Sequence, residues 1–184
     1  MEFFLLVFST LFIAEMADKS QLVTFCLSVS NSGLKVFLGA FIALSLNIGL
    51  VVIFGSIIVN LIPQNIIILI GAAIFLGIGF YTFFSDQESK PVTCPGSGFW
   101  TAFTLIFIAE MGDKTQLAVL SLIAVSSDPL VVLAGSLSAM ALNHALAAFL
   151  GSRYISKIPR KKLNFIVAFL FVFLGIMIIF AEFV

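Results

Sequence analysis

A chain of 184 residues that is 61% hydrophobic and 10% charged, with a mean hydropathy of +1.24, has too little polar surface to cover a soluble domain. Its formal net charge is zero, which removes the basic field expected of a nucleic-acid binder. The two cysteines, Cys26 and Cys94, are too few for a disulfide framework and lack zinc-finger spacing, and Cys26 reads as a small packed hydrophobe.

Six apolar stretches follow in chain order, at residues 3–29, 36–60, 66–85, 99–125, 130–152 and 163–181. Each is close to the roughly 20 helical residues that cross a hydrocarbon core of about 30 Å. The first begins Met1-Glu2-Phe3 without a basic n-region and outruns a signal-peptide core, so it belongs to the mature structure. The breaks carry turn chemistry: Asn31-Ser32-Gly33, Pro63-Gln64-Asn65, Ser126-Ser127-Asp128-Pro129 and Ile158-Pro159. The longest, between Ser85 and Gly98, holds Asp86, Glu88, Lys90, Pro91 and Pro95 and joins two halves. Backbone amides in lipid must be satisfied within the span, and no alternating pattern suggests a barrel. The expectation is an all-α membrane protein of six transmembrane helices.

Loop cations set the orientation. Lys35, Lys90, Arg153, Lys157, Arg160, Lys161 and Lys162 all follow spans one, three and five, which places those loops in the cytoplasm and both termini outside a cell (inner) membrane. The Arg153–Lys162 cluster is expected to anchor this topology, and Trp100 to sit at the interface.

The chain repeats itself. Phe12-Ile13-Ala14-Glu15-Met16-Ala17-Asp18-Lys19-Ser20-Gln21-Leu22 recurs as Phe107-Ile108-Ala109-Glu110-Met111-Gly112-Asp113-Lys114-Thr115-Gln116-Leu117. Gly39, Ala43, Asn47 and Gly55 answer Gly135, Ala139, Asn143 and Gly151, and Phe75-Leu76-Gly77 aligns with Phe173-Leu174-Gly175. The halves are residues 1–85 and 99–184, with 86–98 as a cytoplasmic linker. An odd number of spans per half predicts opposite insertion, hence two inverted three-helix repeats with a site at the midplane between them. Small residues four or eight apart share a helix face and allow close approach, with Asn47 and Asn143 available as interhelical donors or as lining of an ion path.

The charged motifs carry the chemistry. Glu15, Asp18, Lys19, Glu110, Asp113 and Lys114 lie within spans, where an isolated charge costs roughly 2.5–3.5 kcal/mol, so they must face one another or a wet cavity. On continuous helices, Glu15–Lys19 and Glu110–Lys114 would form ion pairs, while Glu15, Asp18 and Gln21 would form a slanting polar stripe repeated by Glu110, Asp113 and Gln116. Four carboxylates and two ammoniums leave a charge of minus two, which one divalent cation or two protons would neutralise. Carboxylates, the Gln21 and Gln116 amides and the Ser20 and Thr115 hydroxyls form a hard oxygen donor set suited to Mg²⁺, Ca²⁺ or Mn²⁺. Met16 and Met111 beside each Glu, and His144 after Asn143, are read first as packing or hydrogen-bonded structural residues.

The paired motifs resemble the Glu-x-Gly-Asp-Lys/Arg-Ser/Thr signatures of the GDT family of cation/proton exchangers, with Ala17 standing where the signature has Gly. The resemblance implies export of Mn²⁺ or Ca²⁺ from the cytosol against protons, with binding by Glu15, Asp18, Glu110 and Asp113. The small size and bare termini look bacterial, which favours manganese. A passive cation channel and an exporter of small organic cations use the same charges differently and are the competing readings. An enzyme is not expected, since neither a Gly-x-Ser-x-Gly elbow nor a His-Glu-x-x-His pair is present. The metal is cargo and no cofactor is implied.

Overall fold

The computed structural model describes residues 1–16, 18–29, 32–84, 98–126, 128–154 and 160–183. Among these, α-helix is the only regular structure: α1 (Glu2–Ala14), α2 (Lys19–Val29), α3 (Gly33–Leu61), α4 (Gln64–Phe84), α5 (Phe99–Glu110), α6 (Lys114–Val125), α7 (Pro129–Tyr154) and α8 (Arg160–Phe183). The helices α3, α4 and α7 are each long and apolar enough to cross a membrane alone. Ala17, Cys94, the linker from Ser85 to Ser97 and Ile158-Pro159 lie outside the described residues, as do the side chains of Lys19 and of the Arg153–Lys162 cluster.

Turn residues start these helices for ordinary reasons. Asp128 accepts from Leu130 N through Oδ1 (2.9 Å), so it caps α7, and Pro129 takes the first helical position, where no amide hydrogen is needed. The carbonyl of Pro63 accepts from Ile66 and Ile67 and opens α4.

The first and fourth spans depart from expectation. Each is two short helices, α1–α2 and α5–α6, interrupted within the repeated motif. At the first break Met16 N donates to Ile13 O and Asp18 N to Glu15 O, and the helical pattern resumes with Leu22 N on Asp18 O. The second repeats this with Met111 N on Ile108 O, Asp113 N on Glu110 O and Leu117 N on Asp113 O. Gly112 adopts φ +77°, a left-handed conformation that a side chain resists. Asp113 then caps α6 by accepting from Thr115 N (2.6 Å). The sequence signal was present, because Asp-x-x-Gln at Asp18–Gln21 and Asp113–Gln116 is a helix-start pattern.

Packing follows the small-residue faces. A Cβ on Gly39 would collide with Phe99 O, and one on Gly135 would lie 2.8 Å from Val7 Cγ1 and 3.3 Å from Phe4 O. With Asn47 meeting Phe107 and Asn143 meeting Phe12 further along, α3 runs parallel to α5 and α7 parallel to α1. In the pair α4 and α8, a Cβ on Gly79 would lie 3.0 Å from Ala168 O and one on Gly175 would lie 3.1 Å from Ala72 O. Phe75 and Phe171, both fully buried, meet between them at 5.6 Å, so α4 and α8 run antiparallel. The matching contacts make Phe75 and Gly79 the counterparts of Phe171 and Gly175, two residues away from the sequence alignment. Gly77 has nothing within 4 Å of a built Cβ, whereas Gly175 is in tight contact.

Large apolar side chains face outward on every long helix, among them Leu46, Phe54, Ile58, Tyr81, Phe84 and Phe169, as lipid solvation allows and water does not. Trp100 is exposed at the start of α5. Cys26 is disulfide-bonded and is not the packed thiol read from the sequence.

Candidate functional site: carboxylates at two helix breaks

Breaking a helix frees backbone groups, and at each break one freed carbonyl is satisfied from the opposite half. In an unbroken helix Phe12 O would accept from Met16 N, but that amide has turned to Ile13 O. The Nδ2 of Asn143 on α7 donates to Phe12 O instead, at 3.0 Å. Likewise Met111 N leaves Phe107 O, and Asn47 Nδ2 on α3 donates to it at 3.1 Å. The two asparagines are therefore brackets for the breaks. Each thus makes the interhelical hydrogen bond that the sequence offered it.

The breaks bring carboxylates together. Ligand oxygens of Glu15, Asp18 and Asp113 lie within 4.8 Å of one another, so the cluster draws on both halves. Glu15 is buried to 1% exposure; Thr115 donates to its Oε1, and its Oε2 is buried with no hydrogen-bond partner. Such an oxygen is costly without a cation or proton to meet it. Glu110 is also buried but stands outside the three-residue cluster. Ser20, the counterpart of Thr115, approaches Glu110 without closing a hydrogen bond of normal geometry.

The expected ion pairs within one helix do not form in the described second half. Glu110 ends α5 and Lys114 begins α6, so the two no longer share a helical face. Lys114 Nζ instead crosses to the first half, 2.8 Å from Asp18 Oδ2 and 3.1 Å from Ala14 O at the end of α1. The continuous polar stripe is broken for the same reason.

The glutamines diverge. Buried Gln21 donates through Nε2 to Asn143 O (2.9 Å) and Oδ1 (3.3 Å), which ties α2 to α7. Half-buried Gln116 accepts from Gly112 N through Oε1 at 3.0 Å and so closes its own break. Met16 is half-buried and Met111 is 64% exposed. Thr24, which the sequence reading passed over, is buried and pairs with His144 Nδ1 at 2.8 Å, while His144 Nε2 is buried without a partner. Thr24 lies about one turn beyond the Glu15–Ser20 motif, and only the α2–α7 packing reveals its role.

The family model for the divalent cation/proton antiporter GDT1 matches residues 3–90 and 98–184. The chain is similar to GDT1-like protein 2, chloroplastic, of Oryza sativa subsp. japonica, at 37% identity over 87 residues, 47% of this chain and 24% of that relative. It is also similar to Protein PAM71-homolog, chloroplastic, of Arabidopsis thaliana, at 33% identity over 86 residues, again 47% of this chain and 24% of the relative. The matched stretch thus spans about a quarter of the length of these curated relatives. No solved structure matches the chain. With both halves of the chain covered by the family model, each carrying one break and its carboxylates, the chain belongs to the GDT1 family of divalent cation/proton antiporters.

Proposed function

We propose that this chain is a secondary active transporter that exports a divalent cation, Mn²⁺ before Ca²⁺, from the cytoplasm in exchange for protons. The observation that carries the reading is the cluster of Glu15, Asp18 and Asp113 at two helix breaks, with Glu15 Oε2 buried and unpartnered. Glu110 joins them as the fourth carboxylate of a shared site. Gln21, Gln116, Ser20, Thr115, Asn47, Asn143 and Lys19 support the site or line the path. Oxygen donors of this kind suit hard divalent ions.

The mechanism is read as alternating access between two inverted three-helix repeats. The antiparallel α4–α8 pair and the crossed α3–α5 and α1–α7 pairs support that arrangement, in which one half rocks against the other around a midplane site. Half-helix ends at such a site offer carbonyl oxygens and a favourable dipole to a cation. An acidic site that reorients empty and fully ionised in a low-dielectric core is costly, so protons replace the metal on the return stroke.

The test is exchange in proteoliposomes. An imposed pH gradient is expected to drive Mn²⁺ against its own gradient, and added Mn²⁺ to move protons the opposite way. Metal flux at full rate without proton counterflow would favour the channel. The same assay across Mn²⁺, Ca²⁺ and Mg²⁺ ranks the ions, and competition by basic amino acids would favour the organic-cation reading.

Sidedness follows the loop cations, with the odd-numbered loops cytoplasmic and the termini outside. Impermeant maleimide applied to right-side-out and inverted vesicles, before and after reduction, tests this at Cys94, in the joint between the halves. Labelling only in inverted vesicles supports export as written, and labelling only in right-side-out vesicles reverses the direction.

A further inference from the structure

Lys114 lies against the carboxylate cluster. Its ammonium touches Asp18 Oδ2 at 2.8 Å, and Asp18 shares a 4.8 Å cluster with Glu15 and Asp113. The lysine belongs to α6 of one half, while Asp18 and Glu15 belong to the other. The side chain is partly buried, at 24% exposure, and its second bond goes to Ala14 O at 3.1 Å, at the negative end of α1. An ammonium carries three donors and no acceptor, so it can hold one partner while it releases another.

We propose that Lys114 is a built-in counter-cation: it neutralises Asp18 while the site is without metal, and an incoming divalent ion displaces it while it stays tethered to Ala14 O. This rests on the metal-site reading above and deepens it. This lysine holds a carboxylate oxygen of a residue that belongs to the ligand cluster itself. Displacement offsets part of the attraction between metal and carboxylates, which keeps binding weak enough for release. Because the lysine and Asp18 come from opposite halves, breaking their contact also frees one half to move against the other.

Two measurements on the full-length protein test this: equilibrium Mn²⁺ binding in detergent and Mn²⁺ turnover in proteoliposomes. Removing the competing charge in Lys114→Ala is expected to tighten Mn²⁺ binding by about tenfold, because a unit charge at contact distance is worth more than a factor of ten at protein dielectric values. Turnover is expected to fall as release slows. Ethylammonium, filling the vacated space, is expected to compete with Mn²⁺ and restore turnover in Lys114→Ala and to do neither in the parent. Lys114→Arg, which keeps the charge, is expected to show none of the tightening. Should Lys114→Ala not assemble, Lys114→Gln can still donate to Ala14 O and carries the same affinity expectation. Unchanged or weaker Mn²⁺ binding in these neutral variants, with no response to ethylammonium, would overturn the proposal. A parent protein that binds and moves no divalent cation would instead overturn the metal site itself, before any variant is compared.

Discussion

Asn47 and Asn143 each lend an amide hydrogen to a carbonyl in the other half of the chain, Phe107 O and Phe12 O, that its own helix has given up. Leaving a buried carbonyl unpaired costs about 1–3 kcal/mol. Asn47→Ala is therefore expected to lower stability by that order and slow metal flux while membrane insertion persists. Asn143→Ala is expected to cost more, since Asn143 also receives Gln21 through its carbonyl side chain. Detergent melting curves together with proteoliposome flux check the ranking, and equal effects from the two variants would count against it. At the same scale, Glu15→Gln, Asp18→Asn, Glu110→Gln and Asp113→Asn are each expected to reduce Mn²⁺ transport at least tenfold in protein that still inserts, because charged ligands contribute more than neutral ones. Near-normal flux in any two would sink the shared site. The carboxylates were legible in the sequence because burying charge in an apolar span has few explanations. The bracket contacts were not, because an asparagine's partner is a backbone atom that the sequence does not mark.

At the scale of helices, the contrast between Gly77 and Gly79 on α4 is informative. They are two residues apart, yet a Cβ at Gly77 meets nothing within 4 Å and one at Gly79 lies 2.6 Å from Val172 Cγ2 and 3.0 Å from Ala168 O. Gly79→Ala is expected to destabilise by about 1–3 kcal/mol through overpacking against α8. Gly77→Ala is expected to be neutral or stabilising by about 0.5–1 kcal/mol, since it removes a helix-interior glycine. Thermal unfolding in detergent separates the two, and the reverse order would mean that α4 meets α8 through its other face. The six apolar stretches were readable from hydropathy, and their ends agree with the helices to within a few residues. The breaks inside the first and fourth were hidden because apolar periodicity continues on both sides of them. The Asp-x-x-Gln start signal lay inside a motif whose charges invited a different reading.

For the whole molecule, the crossed pairing of α3 with α5 and α7 with α1 means that the carbonyl freed at each break, Phe107 O or Phe12 O, is satisfied from the other half. Any motion of one half against the other must therefore pass through the brackets and through the Lys114–Asp18 contact. Coupling between metal and protons is then expected to fail before insertion does. In Asn47→Ala with Asn143→Ala combined, metal movement is expected to persist as a leak with less proton counterflow. Simultaneous recording of Mn²⁺ and pH in the same vesicles would show it. A double variant that keeps parental counterflow per metal would mean that the brackets hold structure alone.

Composition and repetition determined by themselves that this chain is helical, apolar and twofold repeated, with acid in excess at matched positions of the two copies. Those properties depend on residue type and on spacing along the chain. Tertiary structure alone decided which carboxylates meet, that Lys114 crosses to Asp18 when a helical neighbour was expected, and that the counterparts in α4 and α8 are shifted two residues from the sequence alignment. The first two share one physical reason. A helix break redirects side chains and frees carbonyls, and the partners that satisfy them lie 60 to 131 residues away across the site, where local periodicity carries no information.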